Sequence, residues 1–468
     1  MMLRHGHFQP PPSVVVTGEG ALASAYDVSG LAVAVMAQAA SAVAALSAHH
    51  GGDPGTISVD RQLAGLWFGM SFQPLGWTLP PAWDALAGDY KSANGWIRLH
   101  TNAAHHRAAA VQALGVGAGA GRDTVASRVA RWDGEELEAA VVAAGGAAAC
   151  MRTPQQWQNH PQGQAAAAGP LIDWGVPREA GAAQVRGGTA ANAVRPLAGV
   201  RVLDLTRVIA GPVATRFLAL HGAQVLRIDP PHWAEPALAA EMTVGKHCAR
   251  LDLKSAGGLA RLHELLAGAD LVVHGYRRGA LDKLGLSEAE LARRYPALLN
   301  IGLNAYGWSG PWSTRRGFDS LVQMSCGIAA AGMAHFHGTT PVPLPVQALD
   351  HATGYLCAAA AVTAWRERLG GTARNARLSL ARTAAELMRS GPTGPPQPVP
   401  SLDPGRWVPE RTRWGPGLRL PSAVGISGVC TGTTVTAEGP GSAAATWPAA
   451  PPARAFPCPP PHPGNGGP

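Results

Sequence analysis

Three stretches of this 468-residue chain put chemically able side chains where an α/β fold would expose them. Asp350 opens Asp350-His351-Ala352-Thr353-Gly354, just ahead of a long Ala-rich run. A carboxylate at such a helix start is kept ionised by the helix dipole and by free backbone N–H groups, and so could act as a nucleophile or base. Taken alone, most aspartates in that position only cap the helix. Leu205–Pro212 (LTRVIAGP) and His274–Ala280 (HGYRRGA) each follow a strand-like run, where a nucleotide could sit. Neither carries G-x-G-x-x-G and the chain has no Walker lysine loop, so phosphates would have to be held by side chains and helix ends. The neighbours His105 and His106 should point to different faces of a helix, with no third ligand in spacing, and no metal is assigned.

The elements that must position these residues follow from periodicity. The spacing predicts helices over Asp27–His49, Arg61–Phe68 and His105–Leu114, with further helical pieces at 128–132 and 135–144. A strand is expected over Thr56–Asp60, and another over Trp96–Leu99 after the turn signal Asn94-Gly95. In the second half, strands Val200–Leu205, Gln224–Ile228, Arg250–Leu253 and Leu271–His274 alternate with helices Pro212–His221 and Gly257–Leu266. Strand, helix, strand at this spacing is a βαβ crossover. The expected fold class is therefore α/β, with a doubly wound (Rossmann-like) parallel sheet whose ligands sit at the carboxyl ends of the strands.

Composition bounds the rest. The length calls for two domains: a small α+β domain over 22–174, a linker over 175–194, and a large domain over 195–388. Residues 1–20 read as a loose leader, and the Pro/Gly/Ala-rich tail 389–468 reads as disordered, or as a frame slip in a GC-rich gene, and as burying little. The net charge of +8, mostly from Arg, suits nucleic acid, a membrane surface or an anionic small molecule. No zinc-finger spacing, basic run or aromatic-interleaved basic stretch supports nucleic acid, and a phosphate-bearing cofactor fits the charge equally well. Six cysteines lack C-x-x-C spacing, which speaks against a disulfide framework. With no signal-peptide pattern, and an apolar run at Leu31–Leu46 too short for a membrane span, a cytoplasmic protein is expected.

Arg195–Pro231 (RPLAGVRVLDLTRVIAGPVATRFLALHGAQVLRIDPP) resembles the opening of the family III coenzyme A transferases. The resemblance continues, in the family's order, through Gly245–Ser255 (GKHCARLDLKS), Ala269–Leu286 (ADLVVHGYRRGALDKLGL), Asn304–Leu321 (NAYGWSGPWSTRRGFDSL) and Leu349–Gly371 (LDHATGYLCAAAAVTAWRERLGG). It implies an enzyme that moves coenzyme A from an acyl-CoA thioester to a carboxylic acid, with no metal and no redox cofactor. Asp350 matches the family's nucleophile, which forms an acyl-aspartyl anhydride and then an aspartyl-CoA thioester. Asp319 matches an acidic position near it, and the Gly354 region could supply backbone N–H groups to the oxyanion. Val208, Ile209 and Ala210 correspond to a segment lining the nucleotide. Arg227, Lys246, Tyr276 and Arg277 fall where phosphate-contacting and adenine-stacking groups lie.

The departures are specific. Gly275-Tyr276-Arg277-Arg278-Gly279 stands where the family usually has Asn-Phe-Arg-Pro-Gly, and no glycine-rich loop follows Asp350. The module Gly88–Gly163 looks like the family's small domain but precedes the large one, as if a partial second copy were joined in reverse order. The related 2-methylacyl-CoA racemases place a histidine where this chain has Phe318, a residue unable to move a proton. A racemase-like isomerase, or a CoA-binding protein with little turnover, is the alternative. The resemblance implies a homodimer or an intramolecular pseudo-dimer.

Overall fold

The computed structural model describes residues 13–53, 55–181, 183, 191–391 and 402–448. The chain begins with β1 (Val14–Thr17), α1 (Val28–His49), β2 (Ile57–Asp60), α2 (Arg61–Trp67) and β3 (Phe72–Pro74). Asp27 caps α1 by accepting the Gly30 N–H at 2.7 Å. With 22 residues, α1 is long and apolar enough to cross a bilayer, more than the run Leu31–Leu46 suggested, yet it lies largely buried within the protein. A helix apolar on every side must be covered on every side, and α1 joins the principal core.

The expected domain at 22–174 is therefore divided. Only the part from β4 (Gly88–Lys91) onward builds a core of its own, with β5 (Trp96–Leu99), α3 (Ala104–Leu114), α4 (Arg122–Val129), α5 (Gly134–Ala143) and β6 (Ala148–Cys150). Its three strands form an antiparallel sheet in the order β4-β5-β6. One face covers Ile97, Leu99, Val111, Val129 and Leu137. From the other, Ala147, Ala149 and Trp96 pack on the large unit. The connection continues through α6 (Pro154–Asn159), α7 (Pro161–Ala168), β7 (Asp173–Trp174) and β8 (Arg178–Glu179). So the expected linker 175–194 contains a short strand, while residues 182 and 184–190 lie outside the described part.

The large unit runs β9 (Arg201–Leu205), α8 (Ala210–Leu220), β10 (Gln224–Asp229), α9 (Pro236–Met242), β11 (Lys246–Arg250), α10 (Ala256–Ala267), β12 (Leu271–His274), α11 (Glu288–Arg294), β13 (Leu299–Asn304), α12 (Asp319–Cys326), α13 (Ile328–His335) and α14 (Ala348–Leu369). It ends with β14 (Thr372–Ala373), β15 (Ala376–Ser379) and α15 (Leu380–Arg389). Seven strands form one sheet in the order β11-β10-β9-β12-β13-β15-β7. The first six are parallel and β7 closes the edge antiparallel. This is an α/β fold with a parallel sheet, as expected. β11 lies four residues earlier than the sequence suggested, because the polar Lys246 that begins it is neutralised by Asp204 and fully buried.

The tail does not conform to expectation. β16 (Val408–Thr412), β17 (Gly415–Arg419) and β18 (Val424–Ile426) are ordered strands. β17 pairs with β3 and β18 with β2, partners more than 300 residues away that no local pattern reveals. Buried Leu420, Val424 and Ile426 join the principal core. The leader likewise carries β1, paired parallel with β2. Residues 1–12, 392–401 and 449–468 lie outside the described part. Cys150, Cys248, Cys326 and Cys357 are free and buried, whereas Cys430 is disulfide-bonded.

An internal repeat emerges. α1 and α14 both have 22 residues, and each is followed by a short connection, a four-residue strand and a helix that starts at once. β2 lies between a parallel neighbour, β1, and an antiparallel one, β18; β15 lies likewise between β13 and β7. α1 packs directly on α14.

Candidate active site

α12 and α14 bring two carboxylates together at their first turns. Asp319 opens α12, and its Oδ2 accepts the backbone N–H of Asp350 at 2.9 Å. Its Oδ1 accepts from the Gln323 amide, whose own oxygen takes the Leu344 N–H at 2.7 Å. The Asp350 carboxylate has no hydrogen-bond partner among the described residues. Burial pushes Asp319 up to about 6 despite these bonds. Asp350 is pushed well above the usual carboxylate range, first by burial and then by the charge of Asp319. The expected ionisation of Asp350 by the helix start is thus outweighed, since desolvation and a neighbouring like charge both favour its protonated form.

Gly354 lies one turn further on, inside α14, where its N–H belongs to the helix ladder and is not free for an oxyanion. Its function is steric. A Cβ there would meet the Ala210 carbonyl at 2.4 Å, so the glycine lets α14 lie close against the start of α8. The Asp350 turn is thereby set beside the connection from β9 to α8. Val208 in that connection has φ +66°, a strained conformation for a β-branched residue. It is held by a 2.7 Å hydrogen bond from its N–H to Glu235. Ile209 and Ala210 then enter α8.

Arg207, which sequence reasoning passed over, sits between two rings, 5.2 Å from Trp233 and 5.3 Å from Tyr276. Its Nη1 is buried without a partner. Only the fold shows that Trp233 and Tyr276, on different strands' loops, flank it. Tyr276 also borders a cavity of about 260 Å³ with Arg277, Arg278, His274, Asn300 and Trp308 in its lining. Arg277 donates to the Thr314 carbonyl at 3.0 Å. Val208, Ile209, Ala210, Tyr276 and Arg277 thus gather at the carboxyl ends of β9 and β12.

Two expected phosphate contacts are not there. Arg227 is buried and gives its donors to Asp229 at 2.9 Å and Glu235 at 2.8 Å. Lys246 is wholly buried, 3.0 Å from Asp204 and 2.9 Å from the Pro212 carbonyl, and burial lowers it to about 8. Both are structural ion pairs: their carboxylate partners could be found only in the folded sheet. His351, next to Asp350, is buried and stacked on Phe68 at 5.2 Å.

The small sheet closes the site. Glu138 bridges Arg152 at 2.7 Å and Arg315 at 2.6 Å, which fixes the segment leading to Phe318 against β6. The Arg152 N–H donates to the Met324 carbonyl of α12 at 3.0 Å. As a result His100, at the end of β5, lies flat on Phe318 with ring centroids 3.7 Å apart and planes 3° apart. His106 is buried beside them, whereas His105 is exposed.

Residues 197–397 match the family described as CoA-transferase family III, and the resemblance read from the sequence is borne out. An acetyl-coenzyme A transferase of Hypoxylon pulicicidum is 36% identical over 174 residues, 36% of this chain and 29% of that protein. A probable fatty acyl-CoA transferase of Mycobacterium tuberculosis is 34% identical over 195 residues, 38% of this chain and 49% of that protein. Human succinyl-CoA:glutarate CoA-transferase is 33% identical over 179 residues, 35% and 40% of the two chains. A crystal structure of the M. tuberculosis protein aligns at 30% identity with a TM-score of 0.38, covering 42% of this chain and 58% of that one. The chain spans half or less of the length of these curated relatives.

Proposed function

We propose that the protein transfers coenzyme A from an acyl-CoA thioester to a carboxylic acid, with Asp350 as nucleophile. The observation that carries this reading is the buried Asp319–Asp350 pair, which lies within the matched segment. A carboxylate whose proton affinity is raised is the stronger nucleophile once that proton leaves. An Asp350 oxygen attacks the thioester carbonyl carbon, the C–S bond breaks, and CoA departs as thiolate. The thiolate attacks the Asp350 carbonyl of the mixed anhydride, giving an aspartyl-CoA thioester and the donor acid as its carboxylate. An incoming carboxylate attacks that thioester and forms a second anhydride. The returning thiolate then takes the new acyl group and frees Asp350. Asp319 holds the Asp350 backbone and sets its proton affinity.

We read the strand order as a Rossmann-like, doubly wound sheet and the α1–β2–α2 repeat as the second half of an intramolecular pseudo-dimer. Packing of α1 directly on α14 supports this. Isomerisation by proton transfer draws no support from Phe318. The test is mass spectrometry after incubation with a panel of acyl-CoA donors and hydroxylamine. A hydroxamate on the Asp350 peptide, lost in Asp350→Ala while CoA affinity stays within about tenfold, is expected. An Asp350→Ala protein with full exchange activity would sink the mechanism.

A further inference from the structure

We propose that His100 is a substrate-positioning residue, donating a hydrogen bond from its imidazole N–H to an oxygen of the acyl group at Asp350. The proposal deepens the acyl-transfer reading and rests on it. His100 belongs to the small sheet, far from the matched segment in sequence. Its ring is nevertheless seated on Phe318, the residue directly before Asp319, with centroids 3.7 Å apart and planes 3° apart. Asp319 in turn accepts the Asp350 N–H. Three aromatic groups fix the ring: Phe318 below, Trp83 edge-on at 5.8 Å and His106 edge-on at 6.3 Å.

Packing alone does not account for a histidine there. Nδ1 has no hydrogen-bond partner among the described residues and is sealed from solvent. A leucine or phenylalanine would fill the space without stranding a polar atom. Burial lowers His100 to about 3, so the imidazole is uncharged. That suits the neighbourhood. A cationic ring would add to the charge of Arg98, which already lowers the proton affinity of Asp319, whereas a neutral donor steadies the developing oxyanion without doing so.

The experiment compares wild type, H100F and H100Q as full-length proteins. H100F keeps a flat ring on Phe318 and removes the donor; H100Q keeps a donor. Hydroxylamine-trapped labelling of Asp350 at saturating acyl-CoA is expected to slow at least about tenfold in H100F and to recover partly in H100Q, with free-CoA affinity and thermal midpoint unchanged. Labelling of H100F at the wild-type rate, or H100Q no better than H100F, overturns the proposal. If H100F lowers the thermal midpoint, H100M replaces it as the donor-free variant, with the same two outcomes. Should wild type give no adduct at all, the acyl-transfer reading itself fails. His100 is then judged by calorimetry: a fall in the acyl-CoA to CoA affinity ratio of about tenfold in H100F but not H100Q upholds its contact with the acyl group, and an unchanged ratio removes it.

Discussion

At the scale of single residues, the candidate site turns on the raised proton affinity of two neighbouring carboxylates, Asp319 and Asp350. Both are raised by burial, and Asp350 also by its neighbour's charge. Such a pair titrates as a unit, so acyl transfer should fall along an acidic limb as the anionic pair gains its proton. Replacing Asp319 with Asn removes the like charge while leaving an oxygen to accept the Asp350 N–H. Asp350 then ionises more readily, and the acidic limb of kcat should move to lower pH by at least about one unit. A pH–rate profile of D319N that overlays the wild type would show that Asp319 does not tune the nucleophile. Asp350 and Asp319 were singled out because family-like blocks surround them. Arg227 and Lys246 misled, because a basic residue in a strand reads the same whether it meets a phosphate or, as here, a buried carboxylate.

At the scale of elements, the tail is an integral part of the core. Arg419 on β17 bonds Glu410 at 2.6 Å and Glu241 at 3.0 Å, and Glu241 is also paired with the buried Arg216. Removing one partner from a buried ion network leaves uncompensated charge at a cost of about 3–5 kcal/mol. Exposure of Leu420, Val424 and Ile426's sites adds roughly 1.5–3 kcal/mol for each. Together these rival a whole domain's stability of about 5–15 kcal/mol. Truncation after Gly391 should therefore yield aggregated or unfolded protein, visible as loss of the main peak in size-exclusion chromatography. A monodisperse truncated protein with wild-type thermal midpoint would show these strands to be dispensable. Strands of three to five residues rich in Gly and Pro have no local signature, and long-range pairing alone makes them.

At the scale of the whole molecule, buried imidazoles set the acid limit. Burial lowers His100 and His351 to about 3, and His106, His221 and His274 to about 4. For a group depressed in the folded state, the contribution to stability is complete above its unfolded value of 6.5 and is lost as pH falls toward the folded one. At pH 5 each would have forfeited up to about 2 kcal/mol. Asp229, Asp319 and Asp350 act in the opposite sense, since their raised affinity favours the native state as pH drops, but they are three against five. The thermal midpoint should thus fall steeply between pH 6.5 and 5, as calorimetry would register. A midpoint flat across that interval would mean these imidazoles reach water in the native state.

The α/β class, the β9–α8–β10 crossover, most helix positions and the Asp350 segment were decided by the sequence itself, because periodicity, turn residues and contiguous motifs are local properties. Pairings between distant segments were decided by the tertiary structure alone. They include β17 on β3, β18 on β2, α1 on α14, His100 on Phe318 and Arg207 between Trp233 and Tyr276. The physical reason is the same in each case. A side chain's charge, burial and reach depend on what packs against it, and in this chain those partners come from the other end of the sequence or from a separate sheet.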